Sequence, residues 1–547
     1  QFPTALAFVA GVGIGAALLR HPRPEPPVFH RLTFRMQPLG YARFAPDGQT
    51  IVYGAEWQGG GATRLFSTRA DSTESTALPI RDAELLAISS TGKMAVSFWR
   101  RNQTLAEVSL AGGAAREILE NVEGADWSPD SQSLAVARRL TPFGLLGKGG
   151  RFRLEFPIGK VLYENPNGSV NSPRFAPDGK SIAFVDAGGS IAVADLAGRK
   201  ATLSTGWDLI FGLAWHPQSD EVWFAGRENS ERGYGTLSLY AVSRSGRLRA
   251  VLREPANLNL QDISREGRVL LVSSEYPQRI MCLPPGAANE VDLSWLDLSG
   301  CADLSEDGKT VLIDEWGSVG ARGAVYLRKT DGSPAVRLGE GRAQALSPDG
   351  KWAIAIPPAL DRLVVLPTGT GETRVLRKEG LKYSGAKWFP DGRRVLFEAS
   401  TPGHSSRLYL QDLAGGEPRP LTPEGFRVGP VSPDGKFIAA RGLDGGLLLY
   451  PVDGGEARAV PGVDSDDRVI RWDAKGDALF VAKGGLAPLR IDRLVLATGS
   501  REPWREITPA DPSNVIGIDV KLTPDGKSYA YSALRELSSL YVVDGLR

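Results

Sequence analysis

The chain has 547 residues but only two cysteines and four histidines. Neither a disulfide framework nor a four-thiolate zinc site can be assembled from so few. It also lacks an excess of either charge, with 64 Lys and Arg against 63 Asp and Glu. That balance excludes the strongly basic surface on which nucleic-acid binding depends. No Gly-x-Ser-x-Gly pentapeptide occurs, so the nucleophile turn of an α/β-hydrolase is missing. His21, His30, His216 and His404 do not pair at metal-ligand spacing. We therefore expect no catalytic residues, no metal and no cofactor in this chain. The two thiols, Cys282 and Cys301, leave two readings open, a single disulfide or two unrelated reduced side chains.

What is abundant is turn-forming residues. Gly at 64 and Pro at 38, in a chain that is still 42% hydrophobic, fit many short strands joined by tight turns better than disorder. The length asks for two or more domains.

One long uncharged run, Phe2 to Leu19, is near the lower limit for a helix crossing a bilayer. We read residues 2–19 as a transmembrane helix; the alternative is the apolar core of a signal peptide. Gly11 and Gly15 give a spacing that suits close approach of two such helices, hence a homodimer. Residues 20–27 contain Pro-Arg-Pro-Glu-Pro-Pro and read as a stiff spacer.

Beyond that, self-similarity organises the sequence. An apolar or aromatic residue, then Ser or Ala, then Pro-Asp-Gly precedes an alternating apolar strand, as at Phe44 to Gly48, Phe175 to Gly179, Leu346 to Gly350, Trp388 to Gly392, Val431 to Gly435 and Leu522 to Gly526. Weaker copies sit at Gly92, Trp215 to Ser219, Gly267, Gly308 and Gly476. The roughly twelve copies lie about 39 to 50 residues apart, the length of a four-stranded propeller blade. Proline presets φ for a turn, aspartate bonds back to the backbone, and glycine takes positive φ at little cost. A second hairpin in each unit is marked by Gly-Gly, as in Leu408 to Thr422.

The expected architecture is all-β: tandem β-propellers, two six-bladed rings of four-stranded antiparallel blades, with seven plus five as the alternative division. Residues 28–295 would form the first ring and 296–547 the second. Phe29 to Thr33 resembles the strand that the last unit lacks, so the termini are expected to pair and remove an open edge.

These repeats resemble TolB-like and WD-repeat-like β-propellers. The span from Ala5 to Leu19, the segment Arg153 to Tyr163, and the ending Ser528 to Ser532 through Leu540 to Arg547 resemble the C-terminal half of bacterial eukaryotic-like serine/threonine protein kinases. That resemblance implies a single-pass inner-membrane protein with its propellers on the periplasmic or extracellular side, acting as a sensor. The His-Arg-Asp and Asp-Phe-Gly motifs of a kinase domain are not in this chain. A non-catalytic envelope scaffold is the alternative.

Partners are expected to be a protein or small molecule on a propeller face, with no nucleic acid. The candidate binding loop is the insertion at 138–153, in which Arg138, Arg139, Lys148, Arg151 and Arg153 surround Phe143, Leu145 and Leu146. Three other features read as structural: His216 and the acidic run Asp464-Ser465-Asp466-Asp467 as turn residues, and Trp127, Trp215, Trp388 and Trp472 as core.

Overall fold

The computed structural model describes residues 26–547 apart from 35, 57–62, 100, 141–149, 230–235, 255, 318–321 and 443–444. Every regular element among them is a β-strand. The expected helix at 2–19 and most of the spacer at 20–27 lie outside the described residues. No described helix is long and apolar enough to cross a membrane.

Each repeat turn is built by its own side chains. The hydroxyl of Ser128, Ser305, Ser347, Ser432 or Thr523 donates to the aspartate two residues on, at 2.5–2.7 Å. The same carboxylate oxygen accepts the amide of Gln132, Lys309, Lys351, Lys436 or Lys527. Gly350 stands at φ +68°, where a β-carbon would be strained even though nothing else crowds it. In the first of these five turns Ser131 takes the glycine position at φ +60°.

The strand leaving each turn is buried on both faces, because sheets stack radially against neighbours on either side. All residues of Ser181–Asp186 are buried. Trp127, Trp215, Trp388 and Trp472 are core residues. Three of them also lock one sheet to the last: the indoles of Trp215, Trp388 and Trp472 donate to the carbonyls of Arg174, Ala345 and Pro430 on the preceding sheet.

Six innermost strands, Leu39–Phe44, Ala83–Ile88, Val122–Trp127, Val170–Phe175, Trp207–Trp215 and Asn257–Ile263, touch in that order, and the last returns to the first. This is the closed circle of a β-propeller. A second set encircles one cavity: Leu298–Leu304, Arg342–Leu346, Lys382–Trp388, the segment 427–431, Asp467–Trp472 and Val515–Leu522. Among the described residues the segment 427–431 is joined to its neighbour by two bridges, Arg427 to Arg441 and Val431 to Ile438, and by the Ala439 amide donating to the Pro430 carbonyl at 3.1 Å. Pro430 has no amide proton to extend the ladder.

The two sets exchange strands, so the division expected at 295–296 is corrected: no single cut separates them. Gln278–Leu283 and Val291–Asp292 complete a sheet of the second set beside Tyr529–Arg535. Leu537–Asp544 then returns to the first set, between Val269–Glu275 and Val28–Arg31. Phe29 pairs with Val543, which realises the expected pairing of the termini. Glu290 pins the inserted strands by accepting the Tyr529 hydroxyl at 2.7 Å and that of Tyr531 at 3.0 Å.

The disulfide considered for Cys282 and Cys301 is not formed. Both are free thiols buried in one apolar cluster with Ile280, Leu293 and Val311. Burial pushes the Cys282 thiol up to about 12 and raises that of Cys301 further. They act as small apolar fillers.

Three outcomes are expected. Gly350→Ala should lower unfolding free energy by about 1–2 kcal/mol in a denaturant titration. Truncation after residue 536 removes the strand between Val269–Glu275 and Val28–Arg31, and should abolish the cooperative transition of the first set. The hydroxyls of Ser128, Ser305, Ser347, Ser432 and Thr523 hold the aspartates at 130, 307, 349, 434 and 525 below the ordinary carboxylate range. Their stabilisation is complete above the unfolded value of about 4 and is lost as pH falls below it. Urea midpoints should therefore drop on acidification from pH 5 to pH 2, and less steeply in Asp349→Asn.

Candidate functional site

In a propeller the innermost strands converge on the axis, so side chains at one repeat position meet there whatever their separation in sequence. The position just before the apolar residue of each turn holds Arg43, Ala87, Asp126, Arg174, Ala214 and Asp262 in the first set. In the second it holds Asp303, Ala345, Lys387, Pro430, Arg471 and Lys521. The first series runs Arg, Ala, Asp twice and sums to zero formal charge. The second carries three cations and one aspartate.

The first series satisfies itself. Arg43 donates to the carbonyls of Leu86 at 2.9 Å, Ala42 at 2.8 Å and Gln261 at 2.7 Å. Arg174 repeats the pattern with Leu213 at 2.8 Å and Gln261 at 3.1 Å. Asp126 accepts the amide of Phe175, and Asp262 that of Phe44, each from the following sheet. Both arginines are buried. Burial, helped by the neighbouring Arg174, lowers Arg43 to about 9. The side chains leave a gap of about 20 Å³ on one side and a shallow mouth of about 220 Å³ on the turn side.

The second series does not close. The cavity it lines holds about 600 Å³, bounded by residues from all six inner segments. Asp303 is used structurally, accepting the amides of Leu304 and Leu346. Lys521 pairs with Asp519 at 2.7 Å. Arg471 donates to the carbonyls of Leu522 at 2.6 Å and Trp472 at 3.2 Å, and Arg468 to that of Ile518. Lys387 has neither hydrogen bond nor ion pair among the described residues. Enclosure by protein lowers it below the ordinary lysine range, against the pull of Asp303 and Asp519 and with a further push from Lys521 and Arg471. Asp519, half exposed to the cavity, is held below the usual carboxylate range: enclosure works to raise it, but Lys521 and then Arg468 outweigh that.

The sequence-based candidate loop fares differently. Phe143, Leu145, Leu146 and Lys148 lie outside the described residues. At its base Arg151 and Arg153 both engage Glu164, Arg153 at 2.6 Å. Arg139 donates to Gln103 at 2.7 Å and lies 3.4 Å from Glu123. Arg138 is half-buried with its Nε lacking an acceptor. The described loop arginines other than Arg138 are thus already engaged in neighbouring-strand pairs.

Asp464, Asp466 and Asp467 do cluster, but Lys483 and Arg501 supply the positive charge there. His216 stacks on Trp223 at 5.0 Å and accepts the Gln218 amide at 3.3 Å, a turn role. The axial residues were missed because each was read as part of its turn. Aligning the repeats and reading one column down would have exposed them.

No protein-family model matches the chain. Among curated proteins it is similar to the uncharacterized peptidase YuxL of Bacillus subtilis (strain 168), 29% identical over 150 residues. That match takes in 27% of this chain and 21% of the relative, so the chain spans about a fifth of that protein's length. Among solved structures it is similar to a putative TolB from Agrobacterium tumefaciens, at 18% identity and a TM-score of 0.36, over 48% of this chain and 99% of that one. It is also similar to the tricorn protease, at 13% identity and a TM-score of 0.33, over 91% and 56% respectively.

The two axes should respond oppositely to loss of a cation. Arg43→Ala strands three buried carbonyls and removes a cation from the neutral axial layer, and should cost roughly 3–5 kcal/mol. Lys387→Met removes a desolvated charge that has no partner, and should leave the thermal midpoint unchanged or raise it.

Proposed function

We propose that the chain is a non-catalytic binding module of two six-bladed β-propellers, and that it serves as the exported sensing region of a single-span bacterial serine/threonine protein kinase. The observation that carries the binding role is the contrast between the axes. The same repeat position that seals one circle leaves the other open and lined with charge. A wall of rigid strands around a cavity of that size is the usual setting of a ligand site.

The kinase assignment rests on the resemblance of the membrane-proximal and C-terminal segments. The scaffold reading shares the same fold and differs only in what lies upstream. The partial match to a peptidase raises a hydrolytic reading, which the site chemistry does not favour. Among the described residues His30 faces Asp544, His404 faces Glu424, and His216 is stacked in a turn. No serine hydroxyl is hydrogen bonded to a histidine among them.

Two measurements test this reading. Deleting residues 28–547 from the full-length gene product should change its autophosphorylation in membranes. Unchanged phosphorylation, or a gene product with no kinase activity, would overturn the sensor assignment. The purified protein should release no product from fluorogenic peptides; turnover would restore the hydrolase reading.

A further inference from the structure

We infer that the axial cavity of the second ring is a binding site for a small organic dianion, a molecule carrying carboxylate or phosphate oxyanions. This rests on the reading of the chain as a binding module and names the chemistry of its occupant.

The argument starts from charge. The cavity lining holds four cations, Lys387, Arg468, Arg471 and Lys521, and four carboxylates, Asp303, Glu306, Asp473 and Asp519, unevenly distributed along the axis. Asp473 is buried and shares Arg493 with Asp477 and Glu502, while Glu306, Arg468 and Asp519 are exposed. At the axial repeat position itself Lys387, Arg471 and Lys521 meet one carboxylate, Asp303, so that layer carries two positive charges more than it balances. A cation enclosed by protein without a counter-charge is costly, and proteins retain one where a ligand supplies the charge.

Hydrogen-bonding capacity points the same way. Lys387 has three donors and no described protein acceptor. Arg471 spends Nε and Nη1 on carbonyls, leaving Nη2 without one. Asp303 spends both oxygens on backbone amides, and Asp519 gives Oδ2 to Lys521. The cavity thus offers unsatisfied donors and few free acceptors, which is the complement of an oxyanion.

The first ring is the internal control. At the same repeat positions its two arginines meet two aspartates and five carbonyl contacts, and the axis is filled. The second ring replaces that neutral plug with surplus cations around about 600 Å³. This volume admits a molecule of metabolite size and excludes a folded protein domain.

The test is titration calorimetry of the purified protein with succinate and, separately, with inorganic phosphate, at fixed ionic strength against a chloride blank. Saturable binding of either at one site per chain is expected, and the stronger of the two identifies the oxyanion. Lys387→Met should weaken it tenfold or more while leaving the circular dichroism unaltered, and Glu306→Gln should tighten it. Arg265→Met, at the mouth of the first ring, should leave the affinity unchanged. The inference is overturned if neither anion binds saturably, or if Lys387→Met binds as tightly as the wild type. Loss of anion binding with kinase regulation intact would remove only this inference; anion binding without any kinase would leave it standing and remove the sensor assignment.

Discussion

A four-stranded sheet buried on both faces has no stable existence alone, because each face must find another sheet. Closure into a circle is the constraint on which the rest of this molecule depends. It is met here by strand exchange. The first circle borrows its third strand, Leu537–Asp544, from the far end of the chain. The second borrows Gln278–Leu283 from the middle. Each circle is thereby completed by a segment that the other delivers, so neither can be cut from the chain as a contiguous piece. The edges that an incomplete sheet would leave at Val269–Glu275 and Tyr529–Arg535 are paired in the process.

Closure also brings one residue per sheet to an axis, and there the two circles diverge. In the first, arginine reaches the carbonyl of the following sheet while aspartate takes its amide, and the motif is repeated across the circle through Arg43 with Asp262 and Arg174 with Asp126. Such a plug is neutral and leaves few donors unmet. In the second circle only fragments of that pattern survive, in Asp303 with the Leu346 amide and Arg471 with the Leu522 carbonyl. Lys387 and Pro430 break it, one by adding a charge that has no partner among the described residues and the other by supplying neither a guanidinium nor a carboxylate. The axis that the first circle fills is left open in the second and lined with charge.

The turns were legible because their chemistry is local. A hydroxyl, a proline, an aspartate and a glycine within five residues contain every atom needed for the hairpin, and the hydrogen bonds of Ser347, Asp349 and Lys351 follow from that order. The indole positions were legible for a similar reason, since Trp388 and Trp472 occupy the one slot in each turn that must face inward. The cavity residues were not. Asp303, Lys387 and Lys521 are spread over more than two hundred positions of the chain, and each by itself reads as part of its turn; only the comparison of one position across all the repeats marks them as axial. The loop of Arg138 to Arg153 drew notice through its local density of charge, yet Glu164, Gln103 and Glu123 on adjoining strands already answer most of it.

By itself the sequence determined the all-β class, the hairpins and their spacing, and the pairing of Phe29 with the last strand, because these depend on backbone preferences and short-range hydrogen bonds. Only the tertiary structure decided which strands complete which sheet, that Cys282 and Cys301 pack as separate thiols, and that one axis is sealed while the other is open. Those outcomes come from radial convergence of distant segments, where the sum of charges around a circle governs the result and no single stretch of chain carries that sum.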